Sequence, residues 1–504
     1  MNMTVIFIVL LAIYIVAMIF LGYIGSKRAN SVSSYATSNG DIGPVAAAFA
    51  FAATFASAGT FLGVAGQGFA YGVTNLWFWA SQWFPCGVIL LIICRRYRKM
   101  NKHLKSATVA DWVADRYDSQ GSRVFLALVS MLQILAIGSQ LVGSGIIINH
   151  VIPVISYPMA VVISAVVVMV YICMGGTYAH VYTNVAQGAM MLVLAIVLVL
   201  SGVFVFGNLL DVPNMLAEID PNLAKGLNPD NSGYPSMIYI VGLFIAHMWW
   251  TMNPQLIGKC TYLKKERDVK KFLLLSCLFM FLMCSITMVG GYTRVLIPEG
   301  IGDTVPGMDY AVPTYISMIF PDIVSAVFLI VIMAATMSTI DGMLLYVSSV
   351  IGNTWYKNIY VRHQIDSGKQ VDETKADNVA MQVMRWSTIV VGIVAIPIAL
   401  SRPENLTVLL WAGSGTIMSA VAGPVCIGLY SKKAGKGSAL LGSVGGFLSF
   451  VIIYFGGLIG SVYLCSAIRG TVSVILSAIG TQIFKPMDQA RAEAIFAGIS
   501  PAKK

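Results

Sequence analysis

Charge is what this sequence lacks. Of its 504 residues only 11% are charged, 32 Lys or Arg against 22 Asp or Glu, and five are His. Soluble domains carry about 25% charged residues, so a water-soluble globule, a disordered chain and a fibre are excluded. Paired cysteines are missing too. The eight Cys sit singly, mostly inside apolar runs, with no C-x-x-C pair and no metal spacing, and they read as small apolar packing residues. No His/Asp/Glu cluster suggests a catalytic constellation, which argues against an integral-membrane enzyme. No basic residue precedes the first apolar run, Thr4 to Ile24, and no small-residue cleavage site follows it, so a retained helix is expected rather than a signal peptide. What is present is apolar: 57% of the chain is AVILMFWYC, with 47 Gly besides. A polytopic all-α membrane protein is the class that remains. The net charge of +10 does not point to nucleic acid, because the basic residues fall in short loops between apolar runs, where lipid headgroups and topology account for them.

Apolar runs of spanning length give thirteen expected crossings, centred near residues 14, 58, 84, 135, 166, 196, 246, 284, 335, 390, 417, 448 and 474. With the N-terminus outside and the C-terminus cytoplasmic, all of the 32 basic residues fall on the inward side except Lys225, Arg294, Arg402 and Arg469. No Lys or Arg falls at mid-membrane depth on this map. The outward loop near 207–235 carries Asp211, Glu218, Asp220 and Asp230; it reads as a solvated loop, with a weak cation-attracting field as the alternative.

Two runs are unlike the rest. The second, PVAAAFAFAATFASAGTFLGVAGQGFAYG (44–72), is built of Ala and Gly and holds Thr54, Ser57, Thr60 and Gln67. Small residues allow close helix approach and glycine permits unwinding, so this run suits a bundle centre. The seventh, YIVGLFIAHMWWTMNPQLIGK (239–259), is interrupted by Asn253-Pro254 and carries His247 and the Trp249-Trp250 pair. Interrupted segments five spans apart point to an inverted-repeat transporter, with 44–206 (spans 2 to 6) and 235–430 (spans 7 to 11) as its halves. Residues 1–43 then form a peripheral first helix and inward loop, 207–234 the outward loop, and 431–504 two peripheral spans and an inward tail. Carbonyls released at such breaks have no water to bond, so they must meet an ion, a solute or a wet cavity. With few carboxylates available, cation ligands should be carbonyls and hydroxyls. In the ninth run, VIMAATMSTIDGMLLYVSS (331–349), Ala335, Ser338 and Thr339 share one helix face; bonds from the two hydroxyls back to carbonyls one turn earlier are the alternative. The carbonyls of Ala53 and Ala56 precede the break in the second run.

Seven segments, in order, resemble the sodium:solute symporter family. They are SSYATSNGDIG before span 2, the A-x-x-A-S-A-G-T-F-L-G-x-x-G body of span 2, TVADWVADRY (108–117), GGTYAHVYTNVAQG (175–188), Asn253-Pro254 followed by Lys259, ATMST (335–339) and GPVCIGLYSKKAGKGSALLG (423–442). The resemblance implies a leucine-transporter-like core of five plus five helices and sodium-driven solute uptake by alternating access. It implies a sodium site made by the carbonyls of Ala53, Ala56 and Ala335 and the hydroxyls of Ser338 and Thr339. It places solute contacts at Ser57, Thr60, Gln67, Ala246, Trp249 and Trp250, with core or interfacial packing as the alternative for the tryptophans and a helix–helix hydrogen bond for Gln67. The implied partners are sodium, a small organic solute and the bilayer, with no other cofactor, no nucleic acid and no obligate protein partner.

Two departures stand out. Where several relatives place an aspartate that serves a second cation site, this chain has Asn184, which supplies oxygen but no charge. Conversely, Asp341 is the one carboxylate the map buries within a span; it should be paired, protonated or near a cation, as a coupling group or a structural hydrogen-bond partner. His247 reads as a packing residue or a proton-linked pocket residue. The lack of basic groups inside favours a neutral, zwitterionic or monoanionic solute, and the GLYSKKAGKG segment resembles the sodium/pantothenate branch, which points to a monocarboxylate. A channel would need rings of carbonyls or charges rather than paired broken repeats, and a sensor would need a domain beyond the short tail after Phe484. The serious competitor is a proton-driven symporter on the same fold.

Overall fold

The computed structural model describes residues 3–229, 234–300, 307–401, 406–497 and 499; Asp230, Arg402, Lys503 and Lys504 lie outside these. The described residues form helices joined by short connections, with a single isolated bridge between Ile42 and Leu263. Each of the thirteen expected crossings coincides with helix. The first is Met3–Ser26, the third Leu76–Leu104, the fourth Gln120–Ser130 running into Gln133–Val151, and the eighth Asp268–Cys284 running into Thr287–Leu296. The ninth is Asp322–Ser349, the tenth Glu373–Leu400, the eleventh Leu406–Tyr430, the twelfth Lys436–Phe450 and the thirteenth Val462–Ile483. Ten helices among the described residues are long and apolar enough to cross a membrane unaided. One of them, Tyr157–Phe206, runs for 50 residues but holds Gly176 at φ 52°, ψ −135°. A straight helix of that length would reach about 75 Å, more than twice a bilayer core, and the glycine divides it into the fifth and sixth spans.

The second and seventh spans are the broken ones. Pro44 starts the first half of span 2, Pro44–Phe55, where its missing N–H costs nothing. The helix ends at Ala56 (φ −79°, ψ 90°), whose N–H closes the last turn on Ala52 O, and helical backbone resumes from Gly59 into Ala65–Tyr71. The break therefore falls at Ala56-Ser57 rather than at the glycines that follow, and Gln140 of span 4 secures it by accepting the Ala58 N–H at 3.0 Å. Span 7 comprises Met237–Trp250 and the short Pro254–Ile257, with Asn253 Nδ2 capping the Trp250 carbonyl at 2.9 Å between them.

Both broken spans are stitched together at the end rich in Lys and Arg. Ile42 N–H donates to Tyr262 O at 2.8 Å, Lys264 N–H to Ile42 O at 3.2 Å, and the Lys264 ammonium meets Asp41 at 2.7 Å. That ammonium, by hydrogen bond and charge, holds the Asp41 carboxyl below the usual carboxylate range. Arg98 of span 3 clamps the same strand of chain through the Leu263 carbonyl. Close by, the buried Asp111 of TVADWVADRY accepts bonds from Thr108, Asn353, Thr354 and Asn358 and pairs with Arg123, tying the basic loop to the continuation of span 9.

Small residues set the helix spacing. Gly290 of span 8 lies so close to the second half of span 2 that a Cβ there would come within 1.7 Å of Ala65 O and 2.7 Å of Phe69 N. Those are backbone atoms that cannot swing aside. Gly290→Ala is expected to cost about 3 kcal/mol or more, seen as a lower thermal unfolding midpoint of the detergent-purified protein or loss of folded material; a wild-type midpoint would show that the two helices separate freely.

Candidate functional site

Oxygen atoms gather where the break in span 2 faces the middle of span 9. Ser338 Oγ lies 2.9 Å from Ala53 O and 2.9 Å from Ala335 O, and Thr339 Oγ1 lies 3.4 Å from Ala335 O. Four of the five oxygens expected from the resemblance thus form one cluster bridging the two helices. The fifth, the Ala56 carbonyl, makes no such contact. Thr54 O takes part in its place, 3.1 Å from Thr339 Oγ1. All these residues are essentially inaccessible to solvent. The helix break is the reason carbonyls at the end of Pro44–Phe55 are free to accept from another span: the Ala58 N–H that would cap Thr54 O goes to Gln140 instead. The hydroxyls also bond back to Ala335, so the two readings of Ser338 and Thr339 are both realised. A hard, small cation prefers such oxygen donors.

Immediately beside this cluster lies a second, charged one. Asp341 is fully buried and accepts from His180 Nδ1 at 2.9 Å, Asn184 Nδ2 at 3.0 Å, Thr183 Oγ1 at 3.2 Å and Tyr171 OH at 3.4 Å. Asn184 and Asp341, read from sequence as two separate departures, are direct partners. Asn184 Oδ1 in turn accepts from Thr54 Oγ1 at 3.3 Å, and the Lys259 ammonium donates to the same Thr54 hydroxyl at 2.7 Å and to Gln255 O at 3.0 Å. Thr54 belongs to both clusters, its carbonyl facing the hydroxyls and its hydroxyl facing the charges.

Lys259 corrects the expectation that no Lys or Arg reaches the interior of the spans: its ammonium bonds to Thr54 of span 2. Placed by sequence in the inward loop, it is completely enclosed, because the short Pro254–Ile257 helix turns it back toward span 2. Arg469, assigned to the outward side, is likewise buried within span 13, where it donates to Trp411 O and Ser466 and stacks on Phe450. His180 was missed altogether. The signal was its place one turn before Asn184, i and i+4 on the same helix face.

Solute candidates divide into two groups. A cavity of about 20 Å³ is lined by Ser57, Thr60, Phe78, Gln82, His247, Trp250 and Trp411 among others. Thr60 Oγ1 accepts from Gln82 Nε2 at 3.2 Å, whereas the buried Gln82 Oε1 has no partner among the described residues. His247 bonds through Nδ1 to Leu243 O and meets Phe78 and Trp411 edge to face, so it both packs and lines the cavity. Gln67, Ala246 and Trp249 do not line it. Gln67 bonds to Tyr463 at 2.9 Å, Trp249 turns outward to Thr471 of span 13 at 3.2 Å, and Ala246 is packed in the core. Phe78, Gln82 and Trp411 were not anticipated, since single residues on unbroken helices carry no local mark. The cavity holds roughly one water, and the rings of Trp250 and Trp411 pack against each other in its wall with centroids 4.5 Å apart. A second cavity, about 40 Å³, reaches His180 from the basic end past Ser106, Thr108, Gln255 and Tyr262.

The chain is similar to known proteins in sequence and in fold. The profile of the sodium:solute symporter family matches residues 35–446. The Sodium/pantothenate symporter of Haemophilus influenzae is 24% identical over 438 residues, 86% of each chain, and the Osmoregulated proline transporter OpuE of Bacillus subtilis is 23% identical over 94% of this chain and 93% of its own. In fold, the chain resembles a substrate-bound, outward-open Na+-coupled sialic acid symporter, with a TM-score of 0.76 at 20% identity over 96% of this chain and 99% of that one. It also resembles Mhp1, a nucleobase-cation-symport-1 family transporter, with a TM-score of 0.55 at 13% identity over 92% of this chain and 97% of that one. These likenesses establish a leucine-transporter-like helical membrane fold, and with the family match over most of its length the chain belongs to the sodium:solute symporter family.

Proposed function

We propose that this protein carries a small organic solute into the cell by sodium-coupled symport, with alternating access of the two broken spans between the membrane faces. The observation that carries the reading is the oxygen cluster of Ala53, Thr54, Ala335, Ser338 and Thr339, which joins the span 2 break to span 9 without any fixed charge among its members. A cation bound there holds the two helices together, and its loss lets them part, so ion occupancy and access to the neighbouring solute cavity are linked. Ser57 and Thr60 stand between the two sites and supply hydroxyls to the solute; Trp250 closes over it. Ala56 is retained as a ligand candidate that a small backbone turn at the break would bring in. Residues 44–206 and 235–430 act as the two repeats, with the N-terminus outside and the C-terminus cytoplasmic, in keeping with the bias of basic residues.

A monocarboxylate of the pantothenate kind is the solute we favour. Its support is the similarity to the pantothenate transporter and the absence of charged side chains among the residues lining the central cavity. Asp341 and Asn184 serve as the coupling group behind the ion site. The buried His180–Asp341 pair gives the alternative, proton-coupled uptake of an amino acid or other small solute, its specific support.

Uptake of radiolabelled pantothenate and proline into proteoliposomes, under an imposed sodium or proton gradient, separates these readings. Sodium-driven accumulation is expected; uptake that ignores sodium and follows the proton gradient would replace the first reading by the second. Ser338→Ala combined with Thr339→Ala is expected to raise the sodium concentration for half-maximal transport tenfold or more, about 1.4 kcal/mol of binding, while the protein still inserts. An unchanged sodium requirement would remove these hydroxyls from the ion site. Asp341→Asn is expected to change the charge moved per solute, read as current against radiolabel flux, and a wild-type ratio would return Asp341 to a structural role.

A further inference from the structure

A cavity at the basic end has the chemistry of an anion site and belongs neither to the oxygen cluster nor to the solute cavity. It measures about 360 Å³ and lies between the segment before span 2, the last turns of span 3 and the chain after span 7, with Asn39, Arg98, Lys102, Lys105 and Lys264 in its wall. No Asp or Glu lines it. Lys264 is neutralised by Asp41 at 2.7 Å, and the carboxylates nearby are spent in the same way, Glu266 on Arg95 and Lys99 and Asp115 on Arg123. Arg98, Lys102 and Lys105 take part in no ion pair among the described residues. Three cations thus line one polar space without a counter-charge.

Topology accounts for Lys102 and Lys105, which are exposed around the end of Leu76–Leu104, where cations also suit the helix C-terminus. It does not account for Arg98. That side chain is folded inward and only 2% exposed. Its Nε and Nη2 donate to Leu263 O at 3.2 and 2.9 Å, and Nη2 also to Lys264 O at 3.1 Å, while the buried Nη1 has no acceptor among the described residues. An enclosed guanidinium with an unused nitrogen is unfavourable unless something polar meets it, and the wall offers no negative charge to do so. Size narrows the class of anion. The cavity has room for about ten waters, far more than a lone halide needs and enough for a phosphate group with part of its hydration. A guanidinium fork beside lysine point charges is the pairing that suits phosphate oxygens, and Ser33 and Asn39 add an uncharged hydroxyl and amide from the segment before span 2.

We propose that this cavity binds a phosphate group, carried by a lipid headgroup or free in solution, with Arg98 as its anchor and Lys102 and Lys105 as its charge partners. Phosphate held there joins span 3 to the segments flanking spans 2 and 7, adding to the Asp41–Lys264 and Ile42–Tyr262 stitches. It also stands at the mouth of the 40 Å³ cavity that reaches His180, with which the basic cavity shares Thr37, Ser106 and Thr261. Binding requires neither sodium nor the solute.

Thermal unfolding of the detergent-purified full-length protein, titrated with sodium phosphate against sodium chloride at equal sodium and ionic strength, reads free phosphate. The midpoint is expected to rise and saturate by mass action. Lys102→Gln with Lys105→Gln, at two exposed positions, is expected to leave the fold intact and to raise the half-saturating phosphate concentration about tenfold or more. Exclusion of phosphate from protein surfaces stabilises both proteins alike, so the difference between them is the measure. Arg98→Gln removes the anchor, and where it folds the saturable rise should vanish. Headgroup phosphate is read by native mass spectrometry of the same proteins released from nanodiscs of phosphatidylcholine and phosphatidylglycerol. The wild-type protein is expected to retain phosphatidylglycerol that the lysine variant loses and that added phosphate displaces. A response in the first measurement alone assigns the site to free phosphate, and one in the second assigns it to lipid; either upholds the proposal. Identical behaviour of the wild-type protein and the lysine variant in both measurements, unchanged binding in folded Arg98→Gln, or no response of the wild-type protein in either measurement overturns it.

Discussion

Backbone carbonyls that have lost their helical partners are the constraint around which this protein is organised. In water a broken helix end is solvated at little cost, but within a bilayer each unpaired carbonyl costs several kcal/mol unless something polar meets it. At the Ala56-Ser57 break the partners come from four other spans. Gln140 accepts the first free N–H beyond the break, Ser338 and Thr339 donate to Ala53 O and Thr54 O, and the Thr54 side chain carries the contact on to Asn184 and Lys259. The break is thus tolerated only because spans 4, 6, 7 and 9 converge on it. The same convergence gathers carbonyl and hydroxyl oxygens, the donor type a small hard cation prefers.

Convergence of this kind demands thin helices. The glycines and alanines of span 2 let neighbouring backbones come within contact distance, as at Gly290 against Ala65 and at Gly188, whose added Cβ would lie 3.2 Å from Ala53 Cβ. Close backbones in turn bring short side chains, Thr54, Ser338 and Asn184, into mutual reach. The basic end is held differently, by paired charges and strand-like bonds between the loop at Ile42 and the chain at Leu263, so the two broken spans are bound to each other at that end. One end of the bundle is latched by polar loops, while its middle is joined through oxygen atoms of spans 2 and 9.

Much of this was legible along the chain. The thirteen crossings followed from runs of apolar length, and both breaks were marked, one by the Ala/Gly run and the other by Asn253-Pro254. Ser338 and Thr339 were found from an i, i+1 hydroxyl pair on the face of Ala335, and the contact with Ala53 followed once the break was placed. The misses share one physical origin. Lys259 was assigned to a loop because charge normally marks an interface, and Arg469 was placed outside for the same reason; burial of either depends on acceptors contributed by other spans. His180, Gln82 and Trp411 sit on unbroken helices where nothing local separates a site residue from a packing residue. Gln67 and Trp249 lie on the broken spans yet face Tyr463 and Thr471, because a helix face is chosen by its neighbours and not by its own break.

By itself, then, the sequence determined class, the helical runs and the two interrupted segments, because these depend on hydrophobicity, length and backbone propensity, which are properties of single segments. Scarcity of charge also determined that any ion site must rest on carbonyls and hydroxyls. Only the tertiary structure decided that Thr54 rather than Ala56 meets Thr339, that Asn184 and Asp341 are partners, and that an ammonium from the far end of span 7 bonds to the Thr54 hydroxyl. Those outcomes are pairings between residues far apart in the chain, and a pairing has no energy until the helices that carry its two halves have been packed side by side.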